Sequence, residues 1–229
     1  MKYLFSLFLL GIFMTSCSSE PCTPTQKVLV FDFGGVVGGT DRRLVAKKIA
    51  PLLGLSLEEA IDLEAQSHAE KKSGTPLKTF WEQYEKQANK PLPPNWATLF
   101  EDIKLSAIRA NSKMLLFIDQ LRSEGYRVAL LSNVTAARAA FIRSKGIYTH
   151  FDPAVLSCET GARKPHPEAY QALLTLLNVK GEECLYIDNN PANLEAAKTL
   201  GMDCILFKSR DGLCTELARR GIAVKIKST

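Results

Sequence analysis

The chain has 229 residues, 46% of them hydrophobic and 23% charged, a balance that suits a packed globular protein and excludes a disordered one. Fourteen Gly and 11 Pro exclude collagen-like and proline-rich repeats, and six Cys are too few for a disulfide scaffold at this length. The net charge of +5 is spread over 29 basic and 24 acidic residues with no run of Lys and Arg longer than two, which reads as a mixed surface and not a nucleic-acid footprint.

Met1-Lys2-Tyr3 carries a charge ahead of an uncharged run from Leu4 to Met14. At about 11 residues the run is too short to span a bilayer, which takes about 20, and it has the length of a signal-peptide apolar region. Thr15-Ser16 before Cys17 resembles a bacterial lipobox. Residues 1–16 are therefore expected to be a lipoprotein signal peptide, Cys17 the lipidated N-terminus, and 17–26 a polar tether to the membrane. An ordinary signal peptide or an uncleaved anchor is the alternative. Ser18 rather than Asp after the Cys points to the outer membrane of a bacterial cell envelope, facing the periplasm. Beyond Cys17, the odd set Cys22, Cys158, Cys184, Cys204 and Cys214 leaves at least one thiol unpaired. Cys158, Cys184 and Cys204 lie in apolar runs and read as small buried hydrophobes.

From residue 27 onward, apolar strand-like runs alternate with helix-period segments. Strands are expected at 27–33, 126–131, 154–157, 184–188 and 203–207, and helices at 112–124, 135–145, 167–178 and 190–200. Asn190 as a cap, Pro167 and Pro191 at first helical positions, and Gly125, Gly146 and Gly201 past helix ends punctuate them. This alternation implies an α/β fold with a Rossmann-like parallel sheet and helices on both faces. The stretch 41–109 breaks it: it holds no convincing strand, only helical segments near 41–53, 57–72, 76–88 and 95–108. Ser56 and Glu59 form a capping box, and Thr75-Pro76 reads as a cap followed by Pro at the first helical position. The stretch is expected to be an all-helical cap over a core made of 27–40 and 110–229. Trp81, Tyr84 and Trp96 fit its core better than a substrate face, Arg42 and Arg43 read as solvated charges, and His68, His150 and His166 have no partner pattern.

Ligands of an open parallel sheet bind at the carboxyl ends of its strands. Those ends carry Asp32-Phe33-Gly34-Gly35, Ser132-Asn133 and Asp188-Asn189, and a loop before a helix carries Arg163-Lys164-Pro165. Two carboxylates, a hydroxyl and an ammonium at one rim suit a phosphate with Mg²⁺. The acids hold the hard cation, and Lys and helix N-terminal amides hold phosphoryl oxygens. A carboxylate there can also act as a nucleophile.

FDFGGVV, LLSN, ARKPHPEAY and YIDNNPANLEAAKTLGM, in that order, resemble the four motifs of the haloacid dehalogenase-like (HAD) hydrolase superfamily, with the helical insert where that family places its type 1 cap. The resemblance implies a Mg²⁺-dependent phosphatase acting on a small-molecule phosphate ester through an aspartyl-phosphate. Asp32 would be the nucleophile, Ser132 and the amide of Asn133 would hold the phosphoryl oxygens, and Lys164 would neutralise charge. Asp32, the Gly34 carbonyl, Asp188 and position 189 would hold the metal. Two positions depart from the pattern. Gly34 stands where phosphatases of the family usually carry a second Asp, the general acid and base. Asn189 stands where a direct acidic Mg²⁺ ligand is expected, so metal affinity should fall. These departures keep two alternatives open: a pseudo-phosphatase that binds without turnover, and a metal-independent dehalogenase.

Overall fold

The computed structural model describes residues 27–222, so the expectations on the signal peptide, Cys17, Cys22 and the tether lie outside the described residues. Among the described residues no helix is long and apolar enough to cross a membrane.

Five strands form one parallel sheet: β1 (Val28–Phe31), β4 (Val128–Ser132), β5 (Ala154–Leu156), β6 (Cys184–Asp188) and β7 (Asp203–Leu206), in the order β5-β4-β1-β6-β7. β1, the first in sequence, is central and pairs with β4 on one side and β6 on the other. The chain therefore winds outward from β1 in one direction, returns, and winds outward in the other. The carboxyl ends of β1, β4 and β6 meet at that reversal, the expected place for a ligand.

Side chains alternate across the sheet because successive Cβ atoms point to opposite faces. Leu29, Phe31, Leu130, Leu185 and Ile187 pack on one face with α5 (Ser112–Ser123), α6 (Ala136–Ser144) and α10 (Arg210–Arg219). Val28, Val30, Ala129, Leu131 and Tyr186 pack on the other with α8 (Pro167–Leu177) and α9 (Pro191–Lys198). With both faces covered, β1, β4 and β6 are buried at every position, which is why they read as unbroken apolar runs.

The insert is built of α1 (Arg42–Leu53), α2 (Leu57–Ser73), α3 (Leu77–Ala88) and α4 (Trp96–Ser106). These helices close their own hydrophobic cluster around Val45, Ile49, Leu63, Phe80, Trp81 and Phe100. Trp81 is fully buried, edge-on to Phe80, Tyr84 and Phe100, in keeping with its core assignment. Arg42 and Arg43 are exposed. The Ser56/Glu59 capping box forms, with Ser56 N donating to Glu59 Oε2 (2.7 Å) and Glu59 N to Ser56 Oγ (3.2 Å).

Several expectations need correction. The stretch 41–109 does not begin and end in helix alone: β2 (Gly38–Thr40) and β3 (Ile108–Ala110) pair antiparallel where the insert leaves and rejoins the sheet. Ile108 therefore belongs to this ribbon, and α4 stops at Ser106. Thr75 does not cap α3. Its hydroxyl donates to Glu70 Oε2 (2.7 Å), and Pro76 takes the cap position without a side-chain bond. Cys158 is exposed because the chain turns into the short helix α7 (Ser157–Thr160) straight after Leu156, whereas Cys184 is buried as expected. Cys204 is half-buried.

The ribbon depends on Gly38, where a Cβ would lie 2.5 Å from the Arg109 carbonyl oxygen and 2.9 Å from Ala110 Cα. Both obstacles are backbone, so relief requires the two strands to part. Gly38→Ala is expected to cost about 1–3 kcal/mol, read as a lower urea midpoint with an unchanged slope. An unaltered midpoint would show that the ribbon is not tightly fixed.

Candidate active site

Asp32 follows the last residue of β1, Ser132 ends β4 and Asp188 ends β6. Lys164 arrives from the loop ahead of α8. The four converge, and all are buried: Asp188 is 0% exposed, Ser132 4%, Lys164 5% and Asp32 7%. The Lys164 ammonium sits between the carboxylates, 2.6 Å from Asp32 Oδ1 and 3.0 Å from Asp188 Oδ2. It also donates to the Leu131 carbonyl oxygen at 2.7 Å, and Tyr186 Oη lies 2.8 Å away. One cation thus faces two buried anions, which leaves a net negative site.

Asp188 is held from several sides. Its Oδ1 accepts from the Asn190 amide at 2.7 Å. Its Oδ2 accepts from Asn193 Nδ2 at 2.8 Å and from the Tyr186 hydroxyl. Asn193 is presented by α9, whose start is fixed by Asn190 Oδ1 accepting from the Ala192 amide (3.1 Å) and by Pro191 at the first helical position, as read from the sequence. Asn133 plays a part that sequence did not show: its side chain clamps the backbone of Lys164, accepting from Lys164 N (2.9 Å) and donating to Lys164 O (2.8 Å). One of its two side-chain N–H donors and its Oδ1 are engaged there, which fixes the side chain against the Lys164 backbone. Ser132 is buried as a residue, and its hydroxyl, which makes no hydrogen bond to the described residues, is not among the buried unpaired oxygens, so it opens onto the rim.

Burial pushes the Asp32 carboxyl above its ordinary value, the Lys164 charge opposes that rise, and the Asp188 charge adds to it. Tyr186 is pushed up strongly by burial and by the adjacent Asp188 and Asp32 charges, so its hydroxyl keeps its proton.

The oxygens at this rim are donors of the kind a hard divalent cation takes. Lys164 takes one oxygen of each carboxylate, leaving Asp32 Oδ2 and Asp188 Oδ1 turned away from the ammonium. Among the described residues the Gly34 carbonyl accepts no backbone hydrogen bond. Two carboxylate oxygens and a carbonyl are oxygen ligands of the kind Mg²⁺ takes, usually with several waters. Asn189 lies against Gly35, where a Cβ would come 2.3 Å from Asn189 Nδ2; Gly35 also has φ +84°. The residues therefore fit the ion, with few anionic ligands: among the described residues no group of three or more His, Cys, Asp or Glu is placed to hold a metal.

Tyr186 and Asn193 are the members that sequence reasoning missed. The period of two along a strand places Tyr186 on the same face as Asp188, a signal present in the sequence.

The comparisons agree with this architecture. The model of the haloacid dehalogenase-like hydrolases matches residues 26–201. Flavin mononucleotide hydrolase 1 of Arabidopsis thaliana is 37% identical over 70 residues, 31% of this chain and 29% of that protein. A phosphatase of Mycobacterium tuberculosis is 28% identical over 110 residues, 45% of this chain and 51% of that one. The chain spans about half or less of the length of the curated relatives it matches. A HAD family enzyme of Bacteroides thetaiotaomicron, solved with magnesium and inorganic phosphate, superposes with a TM-score of 0.55 at 22% identity, covering 81% of this chain and 96% of that one. A predicted HAD-like hydrolase of Porphyromonas gingivalis also gives 0.55 at 22% identity, covering 86% and 98%. With the family match running across the sheet and all four strand-end and loop motifs gathered at one rim, this chain belongs to the haloacid dehalogenase-like hydrolases.

Proposed function

We propose that the protein is a Mg²⁺-dependent phosphomonoesterase working through an aspartyl-phosphate at Asp32. The observation that carries this reading is the buried Lys164 ammonium, 2.6 Å from Asp32 and 3.0 Å from Asp188, beside a Ser132 hydroxyl with no protein partner. The phosphatases among the curated relatives support the same reading.

Lys164 holds Asp32 Oδ1, so Oδ2 is the oxygen left to attack phosphorus. Ser132 Oγ and the Asn133 amide donate to the phosphoryl oxygens. Asp32 Oδ2 bonds to phosphorus as the ester P–O bond breaks, and the leaving oxygen departs with the bonding pair. Water then attacks the same phosphorus, the Asp32–phosphorus bond breaks, the carboxylate is restored and inorganic phosphate leaves, with the proton of water passing to solvent. The Gly34 carbonyl and Asp188 would hold Mg²⁺, with Asp32 completing the set through the oxygen that does not attack and Asn189 beside them; bound there, the ion would supply positive charge toward the phosphoryl group.

Gly34 has no side chain to protonate the leaving oxygen. General acid help is worth about 10²–10⁴ in rate, so substrates whose leaving group departs without a proton are favoured. Aryl, acyl and anomeric sugar phosphates should outpace alkyl phosphates by at least about 10²-fold in kcat/KM. There is room to restore the acid: a Cβ at Gly34 would meet only Asp32 Oδ2, at 3.6 Å, an ordinary contact. Gly34→Asp is expected to raise turnover of alkyl phosphates by about 10²-fold and leave aryl phosphates nearly unchanged. Equal effects on both classes would remove the leaving-group argument.

The functional test is phosphate release from aryl and alkyl esters, with Mg²⁺ and after EDTA. Release that EDTA abolishes supports the proposal. Activity on a haloacid that survives EDTA would favour the dehalogenase reading. No release from any ester would favour a binding protein, the reading that Gly34 and Asn189 together motivate. The same proposal puts the enzyme at the cell envelope through a lipid on Cys17; metabolic labelling with a fatty acid that fails in Cys17→Ser would support that anchor, and labelling that persists would remove it.

A further inference from the structure

Four oxygens surround the Lys164 ammonium, which has three protons: Asp32 Oδ1 at 2.6 Å, Leu131 O at 2.7 Å, Tyr186 Oη at 2.8 Å and Asp188 Oδ2 at 3.0 Å. Which oxygen is left without a proton decides how firmly the cation sits on Asp32. Tyr186 is fully buried, and its ring is fixed edge-on to Tyr170, with centroids 5.7 Å apart. Its hydroxyl donates its one proton to Asp188 Oδ2, which leaves a lone pair facing the ammonium. Asp188 Oδ2 also accepts from Asn193 Nδ2 at 2.8 Å. Two neutral donors thus already serve the oxygen that makes the longest of the four contacts with Lys164. The three ammonium protons are then best spent on Asp32, Leu131 and Tyr186.

We propose that Tyr186 is a positioning residue of the reaction: its hydroxyl occupies Asp188 with one bond and steadies the ammonium with the other, so that Lys164 stays on the nucleophile Asp32 and is not drawn to Asp188. This rests on the phosphatase reading above. Without the hydroxyl, Asp188 Oδ2 loses a donor and competes harder for the cation, and Lys164 loses the neutral acceptor that stands beside that oxygen. Tyr186 makes no contact that would select a substrate, so the effect falls on turnover and not on binding.

The test compares Tyr186→Phe with Tyr170→Phe. Both keep a buried ring and remove one hydroxyl. That of Tyr170 donates to the Asn193 carbonyl oxygen at 2.8 Å and does not touch the ammonium. With an aryl phosphate and Mg²⁺, Tyr186→Phe is expected to lower kcat about tenfold with KM unchanged within twofold, the size of one hydrogen bond. Tyr170→Phe is expected to keep both constants within twofold. Equal losses in the two variants, an unchanged kcat in Tyr186→Phe, or a Tyr186→Phe chain that no longer melts cooperatively would each overturn the proposal, the last by making the hydroxyl a structural group. Absence of phosphate release from the unaltered protein would overturn the phosphatase reading and this inference together; activity in the unaltered protein with an indifferent Tyr186→Phe would overturn the inference alone.

Discussion

Replacing Asp32 by Asn is expected to lower kcat by about 10⁴-fold or more while leaving a fold at least as stable as the original. Loss of turnover follows from loss of the attacking oxygen. The stability result follows from the raised carboxyl value at Asp32, caused first by burial. A group that binds its proton more tightly in the folded chain makes stability fall as pH rises from its ordinary value through its raised one. Above that window the ionised carboxylate works against folding. Asn does not titrate, and Lys164 keeps Asp188, Leu131 O and Tyr186 as partners, one for each proton. The melting temperature of Asp32→Asn should equal or exceed that of the original protein at pH 7–8, with the difference closing toward pH 4. A variant that melts several degrees lower at neutral pH would show that the Asp32–Lys164 contact stabilises the fold, and active turnover would end its assignment as nucleophile.

Lys164→Met acts in the opposite sense. The substitution removes the one positive charge that, among the described residues, pairs with the two buried carboxylates of this site, while keeping a flexible stem of similar length. Breaking a buried ion pair from one side costs about 3–5 kcal/mol because the partner is left charged and uncompensated. For a domain of this size that is a fall of roughly 6–20 °C in melting temperature at pH 8. Since protonation of Asp32 relieves the uncompensated charge, the deficit should shrink as pH falls. A deficit that is constant with pH would point to lost packing. Turnover should be lost as well, because the ammonium touches both carboxylates.

Much of this architecture is legible in the amino-acid sequence, for physical reasons that differ by element. The central strands are covered on both faces, so their residues are apolar without alternation and stand out as runs. α9 announces itself through Asn190 and Pro191, whose cap and fixed φ are local effects. The neck ribbon is not legible in this way. Gly38–Thr40 and Ile108–Ala110 are three residues each, with only Ile108 of the six buried, and pair across about 70 residues of chain, so no local pattern marks them. α10 likewise escaped the reading, since Gly212 lies inside it and only Leu213 and Leu217 turn inward.

At the site, the residues that end strands are predictable from topology, and the motifs place Asp32, Ser132, Lys164 and Asp188 where the fold brings them together. What holds these groups in place is harder to see. Tyr186 lies in an apolar run and reads as core until the fold sets it under an ammonium that is 22 residues away in sequence. Asn133 is expected to serve a ligand, yet its side chain fastens the Lys164 backbone across 31 residues. Such roles are properties of the folded arrangement and not of any segment.

The proposed reaction turns on a covalent bond between Asp32 and phosphorus. The measurement that meets it directly is mass spectrometry of peptides from protein quenched in acid during turnover of an aryl phosphate with Mg²⁺. A phosphoryl group is expected on the peptide that carries Asp32 and is expected to be absent from Asp32→Asn. Steady phosphate release with that peptide unmodified at every quench time, or with the phosphoryl group on another residue, would contradict it.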